Sequence, residues 1–468
     1  MMMESCIASC YYMVFLFFLF VMIPPTGATL SSVTTTRSVL HNKLIYIVLA
    51  VLIYNYETDT VVPRSASAKR HRRRVNSIFT ELGTYSTRRA YRMHANTFWK
   101  LHKLLHKDMK YHLKPPSSSK KKWKNGAKNG LIHSVTRLSC AIRYFAGGSP
   151  YDIAIAHGIS TVQVLVSVWR VVDAVNNNSH FNICFPSHTE QEEVSNGFKQ
   201  KSSAGFDGCV GCIDGMLLWM EKPSIPQCKV SGIGQKKFFC GRKKKFGLNM
   251  TATCDHKRRF IDIDISHPGA TSDYLAFATS SLKRKLETSN LLADGKYIFG
   301  DNAYVNTPYL ATPFKSPTPE EDHYNFYHSQ VRINIECAFG MLINRWTILR
   351  RPLPTQMGIG KITALTMCLC KLHNFLIDER IAPTLLQDSW AASIAGKVTI
   401  NRIGRSNDDN DAVPSGLLHG GDHFDDVDGN ELRRQHYRER SNSTTLPRYI
   451  LFHSVGNQGL KRPTKNIR

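Results

Sequence analysis

Gly211-Cys212-Ile213-Asp214-Gly215 sets an acid at the end of an apolar run, Val210 to Ile213, and the arrangement returns in Ile298-Phe299-Gly300-Asp301-Asn302-Ala303-Tyr304. Short apolar runs bounded by glycine read as buried strands, so both aspartates are expected at strand ends. Leu217 to Met220 reads as a hairpin arm paired with the first run. Phe246 to Thr253 and Arg259 to Ser266 flank the polar turn Asp255-His256-Lys257-Arg258, and Tyr297 to Gly300 is a further short strand. Strands joined to a late helix, with acids just past the strand ends, predict an α/β domain over residues 200–380.

Two more carboxylates belong to this pattern. Asp273 follows His267-Pro268-Gly269-Ala270-Thr271-Ser272 and precedes the apolar Tyr274, Leu275 and Phe277; an acid there can also simply cap a helix. A helix from about Ser329 to Trp346 gathers Ile335, Phe339, Leu342 and Trp346 on one side. Glu336 stands at the edge of that stripe with Arg332 one turn before it. Turned toward the sheet, its carboxylate approaches the strand ends; a solvated surface glutamate is the other reading. Carboxylates on a rigid scaffold can hold two divalent cations about 4 Å apart, the arrangement that activates a water and stabilises the leaving oxygen of a phosphodiester. Oxygen ligands of this kind suit Mg²⁺ or Mn²⁺.

Charge points to the same substrate class. The chain has 468 residues, 61 Lys plus Arg against 36 Asp plus Glu, a formal charge of +25, and 42% hydrophobic residues. That is enough for about two or three domains with cores and excludes a wholly disordered chain. No apolar run reaches the length of about twenty residues that a membrane-spanning helix needs, which argues against a polytopic membrane protein. Between Lys69 and Lys128 stand 18 Lys or Arg and only two acids, Glu81 and Asp108. Lys69-Arg70 with Arg72-Arg73-Arg74, and Lys120-Lys121-Lys122-Trp123-Lys124, read as nuclear-import or nucleic-acid patches, with a solvated basic face as the plain alternative. Arg242, Lys243, Lys244 and Lys245 lie on the connection between the first and later strands, where they could contact phosphates.

The remaining segments frame the domains. Residues 1–65 form a leader with apolar runs at Cys10 to Ile23 and Leu44 to Tyr54, read as a targeting segment, a membrane anchor or an upstream extension. Residues 66–180 are basic and helical, with Thr97, Phe98, Leu101, Leu104 and Leu105, then Leu138, Ala141, Ile142 and Phe145, at helical spacing. A short helix from Pro150 to Ala156, a break at Gly158, and a helix opened by Ser160 and Gln163 and running to about Val175 have the layout of a helix-turn-helix. The many valines of that last helix leave a buried bundle helix as the competing reading. Residues 397–468 read as a polar tail without a core. Its Asp426-Val427-Asp428-Gly429 fails the EF-hand spacing, and Gly232-Ile233-Gly234-Gln235-Lys236-Lys237 fails the Walker spacing. The 12 cysteines are scattered, several in apolar runs, and read as small core residues of a reduced protein rather than as a disulfide or zinc framework.

The order Cys212-Ile213-Asp214-Gly215, Arg242 to Lys245, His267 to Asp273, Gly300 to Tyr304 and Arg332 to Gly340, with Asn325, His328, Arg345, His373 and Asn374, resembles the PIF/Harbinger transposases and the nucleases derived from them. The resemblance runs from about Arg92 to Leu376. It implies an RNase H-like catalytic domain preceded by a helical DNA-binding region. It also implies a catalytic triad of Asp214, Asp301 and Glu336, the last two 35 residues apart, with Asp273 as a further metal ligand. The implied activity is DNA cleavage and strand transfer with Mg²⁺ or Mn²⁺, in the nucleus, with DNA, a separate Myb-like DNA-binding protein and a second copy of the chain as partners. The leader, through which the chain could associate with a membrane, and the Met216-Leu217-Leu218 that follows Gly215 depart from the family pattern. A DNA-binding protein that has kept the fold and lost catalysis is the alternative.

Overall fold

The apolar stretch from Cys209 to Ile213 is fully buried and opens the longest strand, β1, Cys209–Trp219. In this computed structural model, which describes residues 70–109, 131–381 and 446–463, β1 is the centre of a six-stranded mixed sheet. Strand β2 (Phe239–Cys240) and β4 (Phe260–Pro268) both pair antiparallel with β3 (Lys245–Cys254), β3 pairs antiparallel with β1, and β5 (Tyr297–Phe299) and β6 (Leu310–Ala311) follow in parallel. The expected hairpin arm at Leu217 to Met220 is thus corrected. Asp214-Gly215 does not turn the chain but carries it straight on, because β3 supplies partners on both sides of it, from Cys212 opposite Cys254 to Trp219 opposite Gly247.

Register then fixes the acids. Cys212 is aligned with Phe299 across the parallel β1–β5 pair. Side chains alternate with a period of two, so Asp214 and Asp301, each two residues further on, leave adjacent strands on the same side.

Helices cover the sheet. The helix carrying Glu336 is longer than its apolar stripe suggests: it begins at Pro319, where Thr318 and Glu321 form a capping box, and ends at Arg345. The proline fits because the first helical turn needs no N–H from it, a start signal lying outside the apolar stripe. Numbered along the described residues, α1 is Val75–Tyr91, α2 Ala95–Leu105, α3 Ser134–Phe145, α4 Pro150–His157, α5 Thr161–Asn177, α6 His188–Lys199, α7 Ile225–Ser231, α8 Asp273–Ala278, α9 Ser281–Thr288, α10 Pro319–Arg345, α11 Ile359–Asp378 and α12 Pro447–Asn457. Helix α10 crosses β1, β3 and β5, and the Cys212 thiol donates to the Val331 carbonyl at 3.4 Å. Helix α11 lies on β4, where Asn374 clamps the start of this edge strand: it accepts from Phe260 N–H at 2.8 Å and donates to Phe260 C=O at 2.7 Å. Asn325 holds Phe314 in the same two-bonded way. Both asparagines satisfy backbone groups that have no strand partner.

Helices α3 and α5 pack on each other, and α5 on α11, so the core runs continuously from Val75 to Val455. Trp346, fully buried, joins the layers: its ring meets Phe145 edge-on at 6.1 Å and its Nε1–H donates to Leu369 C=O at 3.0 Å. At the α4–α5 turn, Gly158 takes φ +63° and any Cβ there would strike the His71 carbonyl. Glycine is therefore required, and the basic segment at His71 and Arg72 is laid against this turn. Ser160 caps α5 by accepting from Gln163 N–H.

The expectation of a coreless tail is corrected over its last part. Residues 446–463 form helix α12 and its exit, with Leu451 and Val455 buried and Tyr449 and Phe452 each 5.5 Å from the Phe314 ring. Arg462 pairs with Asp322 at 2.9 Å. The aspartates of 408–428 dominate the composition of this region and mask a short apolar stripe with helical spacing. The leader, the Pro115 to Lys124 break and the acidic stretch itself lie outside the described residues. All described residues belong to one unit, Arg70–Arg468. Among them no single helix is long and apolar enough to cross a membrane.

Candidate active site

Burial changes along β1 where the chemistry begins: Cys209 to Ile213 are buried and Asp214 is half-buried. Asp214 Oδ1 accepts from the Gly215 N–H at 2.8 Å. Asp301, just past β5, accepts from the Ala303 N–H at 2.8 Å, so its own loop orients it. Asp273 is the first residue of α8, capped by Ser272, and it accepts from Asn249 Nδ2 on β3 at 3.0 Å. A side chain at Gly215 would collide with the Asp273 carboxylate. The glycine after Asp214 is therefore what allows Asp273 to approach the β1 backbone.

These groups feel one another's charge. Burial pushes Asp214 up to about 6; the Gly215 N–H and Arg332 oppose the rise, and the charges of Asp301 and Asp273 add to it. Tyr304, buried against Phe277, has its phenol raised by burial and then by Asp214, Asp273 and Asp301 together. Glu336 joins through Arg332, whose Nη1 lies 2.6 Å from Glu336 Oε1 and 3.8 Å from Asp214 Oδ2. The structure therefore brings Asp214, Asp273 and Asp301 within electrostatic reach of one another and ties Glu336 to Asp214 by one guanidinium.

The donors suit a hard divalent cation in kind, since all are carboxylate oxygens, and Asp214 is raised first by its burial, with Arg332 as the cation that opposes the rise. Buried oxygens without a partner, Asn249 Oδ1 and the Tyr304 hydroxyl, belong to residues that touch or sense these acids. Among the described residues, no three His, Cys, Asp or Glu are grouped closely enough to hold a metal ion as they stand.

The basic residues stand apart. Arg242, Lys243 and Lys244 are exposed in the turn between β2 and β3, and Lys245, exposed at the start of β3, sets its Nζ 3.9 Å over the Trp219 ring. Trp219 is five residues from Asp214, roughly 17 Å along the strand. Lys120, Lys121, Lys122 and Lys124 lie outside the described residues. Sequence reasoning missed Asn249; its signal was a polar side chain in the buried run of β3. Tyr304 was quoted only as part of a motif.

Asp262 on β4 is likewise pushed up to about 6, by burial first and by Asp264, against Lys285. Acids raised in the folded chain hold protons more tightly there than in the unfolded one. Their contribution to stability is therefore fully present below about pH 4 and declines as pH rises through about 6. Asp262→Asn should remove its part of that decline, seen as a smaller fall in unfolding free energy from pH 4 to 7 by urea titration in EDTA. An unchanged pH profile contradicts the assignment.

Residues 213–374 match the family described as DDE superfamily endonuclease. The chain is similar to proteins of the Harbinger transposase-derived nuclease kind, the resemblance its motif order carries. It is 24% identical over 263 residues to the protein antagonist of like heterochromatin protein 1 of Arabidopsis thaliana, covering 53% of this chain and 63% of that one. It is 25% identical over 258 residues to an Arabidopsis thaliana ALP1-like protein, covering 52% and 60%. HARBI1 of Xenopus laevis, a candidate nuclease by its name, is 22% identical over 268 residues, covering 56% and 73%. The chain thus spans about three fifths of the first two relatives. No solved structure matches it.

Proposed function

We propose that the chain is a divalent-metal-dependent DNA endonuclease or transposase with an RNase H-like catalytic domain. The observation that carries this reading is the meeting of Asp214, Asp273 and Asp301 from separate elements, with Glu336 drawn to them by Arg332. The sheet order supports the fold: three antiparallel strands, β4, β3 and β1, followed by two parallel to β1.

Asp214, Asp301 and Glu336 would hold Mg²⁺ or Mn²⁺, with Asp273 beside them; such ions lower the pKa of a bound water and stabilise the leaving oxygen. The chain's own groups prepare the site. The Gly215 and Ala303 N–H groups fix the carboxylates of Asp214 and Asp301, Asn249 holds Asp273, and the buried Tyr304 excludes water behind them. Arg242 to Lys245 hold phosphates at a distance from the acids, which positions the duplex without reading its sequence. The helical region, with its basic segment against the α4–α5 turn, and the Lys120 to Lys124 cluster supply further DNA contacts. A nuclear setting, a Myb-like partner protein and assembly with a second copy complete the proposal.

A catalytically silent DNA-binding protein is the second reading, favoured by the Arg332 pairing and the open ligand set. The purified full chain should nick supercoiled plasmid in Mn²⁺ or Mg²⁺ and not in EDTA; DNA binding without nicking in either metal supports the silent reading. Replacing Arg242, Lys243, Lys244 and Lys245 with alanine should weaken binding to every sequence and make the salt dependence shallower by up to about 3.6 log units per log unit of salt. An unchanged slope removes this turn from the interface.

A further inference from the structure

An isolated helix accounts for half of what Arg332 does. Glu336 is four residues further on, and such pairs form on helix surfaces for small gains. The second contact has no local origin. The same Nη1 that touches Glu336 reaches Asp214, which lies on β1 and is 17% exposed at its side chain. Arg332 itself is only 21% exposed, so its charge is held where water screens it weakly. Its guanidinium keeps that charge at any pH the protein meets. Asp214 already feels the charges of Asp301 and Asp273, the latter packed against Gly215. The carboxylates have thus recruited a cation from their own chain, and it contacts two of the groups that the metal reading assigns to the ions.

We propose that Arg332 is a tethered counter-ion: it neutralises Asp214 and Glu336 in the metal-free chain, and a divalent cation must displace it to bind. This rests on the nuclease reading and adds a control to it. The guanidinium and the ion compete for the same oxygens, so Arg332 sets the metal concentration at which the site loads. Once displaced, it stays at the rim on α10 with N–H donors in a fork that fits a phosphate. Loading the ion thereby frees a group able to hold the substrate.

The test uses the full-length chain with Arg332→Gln and Arg332→Lys, Mn²⁺ affinity by calorimetry without DNA, and thermal melting in EDTA and in Mn²⁺. Arg332→Gln should bind Mn²⁺ about tenfold tighter than wild type, the scale of removing an opposite charge at this distance. It should also melt lower than wild type in EDTA and recover in Mn²⁺, since the ion replaces the lost charge. Arg332→Lys, a point charge without the fork, should fall between the two in affinity. Should Arg332→Gln not fold, the lysine variant decides: affinity at or below wild type overturns the proposal. A folded Arg332→Gln with no gain in affinity overturns it while leaving the nuclease reading intact, because wild type still binds. Absence of Mn²⁺ binding in all three proteins removes the metal reading and this inference together.

Discussion

On the proposed function, Asp214→Asn should lose metal-dependent nicking by about 10³-fold or more, the scale of the several kcal/mol that catalytic metal ions supply. It does so without unfolding the chain. The aspartate is 17% exposed at its side chain and pushed up to about 6, so keeping it charged at neutral pH costs the folded state stability. A neutral amide of the same shape removes that strain, and the melting temperature in EDTA stays level or rises. Glu336→Gln loses activity to a similar degree with little change in stability, because its side chain is 49% exposed. Activity retained in either variant, or collapse of the fold in Asp214→Asn, contradicts the assignment.

Trp346→Ala has the largest expected effect on stability, a loss of about 3–5 kcal/mol typical of truncating a buried large aromatic. The residue is fully buried, and its removal takes from the Leu369 carbonyl the donor it has besides its helix bond, and from the Phe145 ring its edge contact. Since Phe145 belongs to α3 and Leu369 to α11, the loss should loosen the N-terminal helices and the sheet layer together. Urea unfolding should show one transition at a lower midpoint. A change under about 1 kcal/mol, well below that range, would mean that the two layers do not share this core.

The parts of this molecule readable in its sequence are those governed by local pattern. Apolar runs ending on Asp214 and Asp301 gave both strands and both acids, because a parallel register needs only that each run stop at the same depth. Glu336 was placed by its apolar stripe. Three features escaped for physical reasons. Asp214-Gly215 looks like a turn because glycine after aspartate commonly makes one, yet here the missing side chain serves the Asp273 carboxylate and the strand continues. Helix α12 was hidden by acidic composition upstream of it. Asn249 and the reach of Arg332 to Asp214 depend on contacts between residues 24 and 118 positions apart, which no spacing rule encodes.

The convergence of the acids on a metal is tested most directly by crystals of the full chain grown with Mn²⁺ and read by anomalous diffraction. A peak contacted by Asp214 and Asp301, with Glu336 turned from Arg332 toward it, is the expected result. Crystals saturated with Mn²⁺ that show no peak there, with Arg332 still lying between Asp214 and Glu336, would contradict the proposed function.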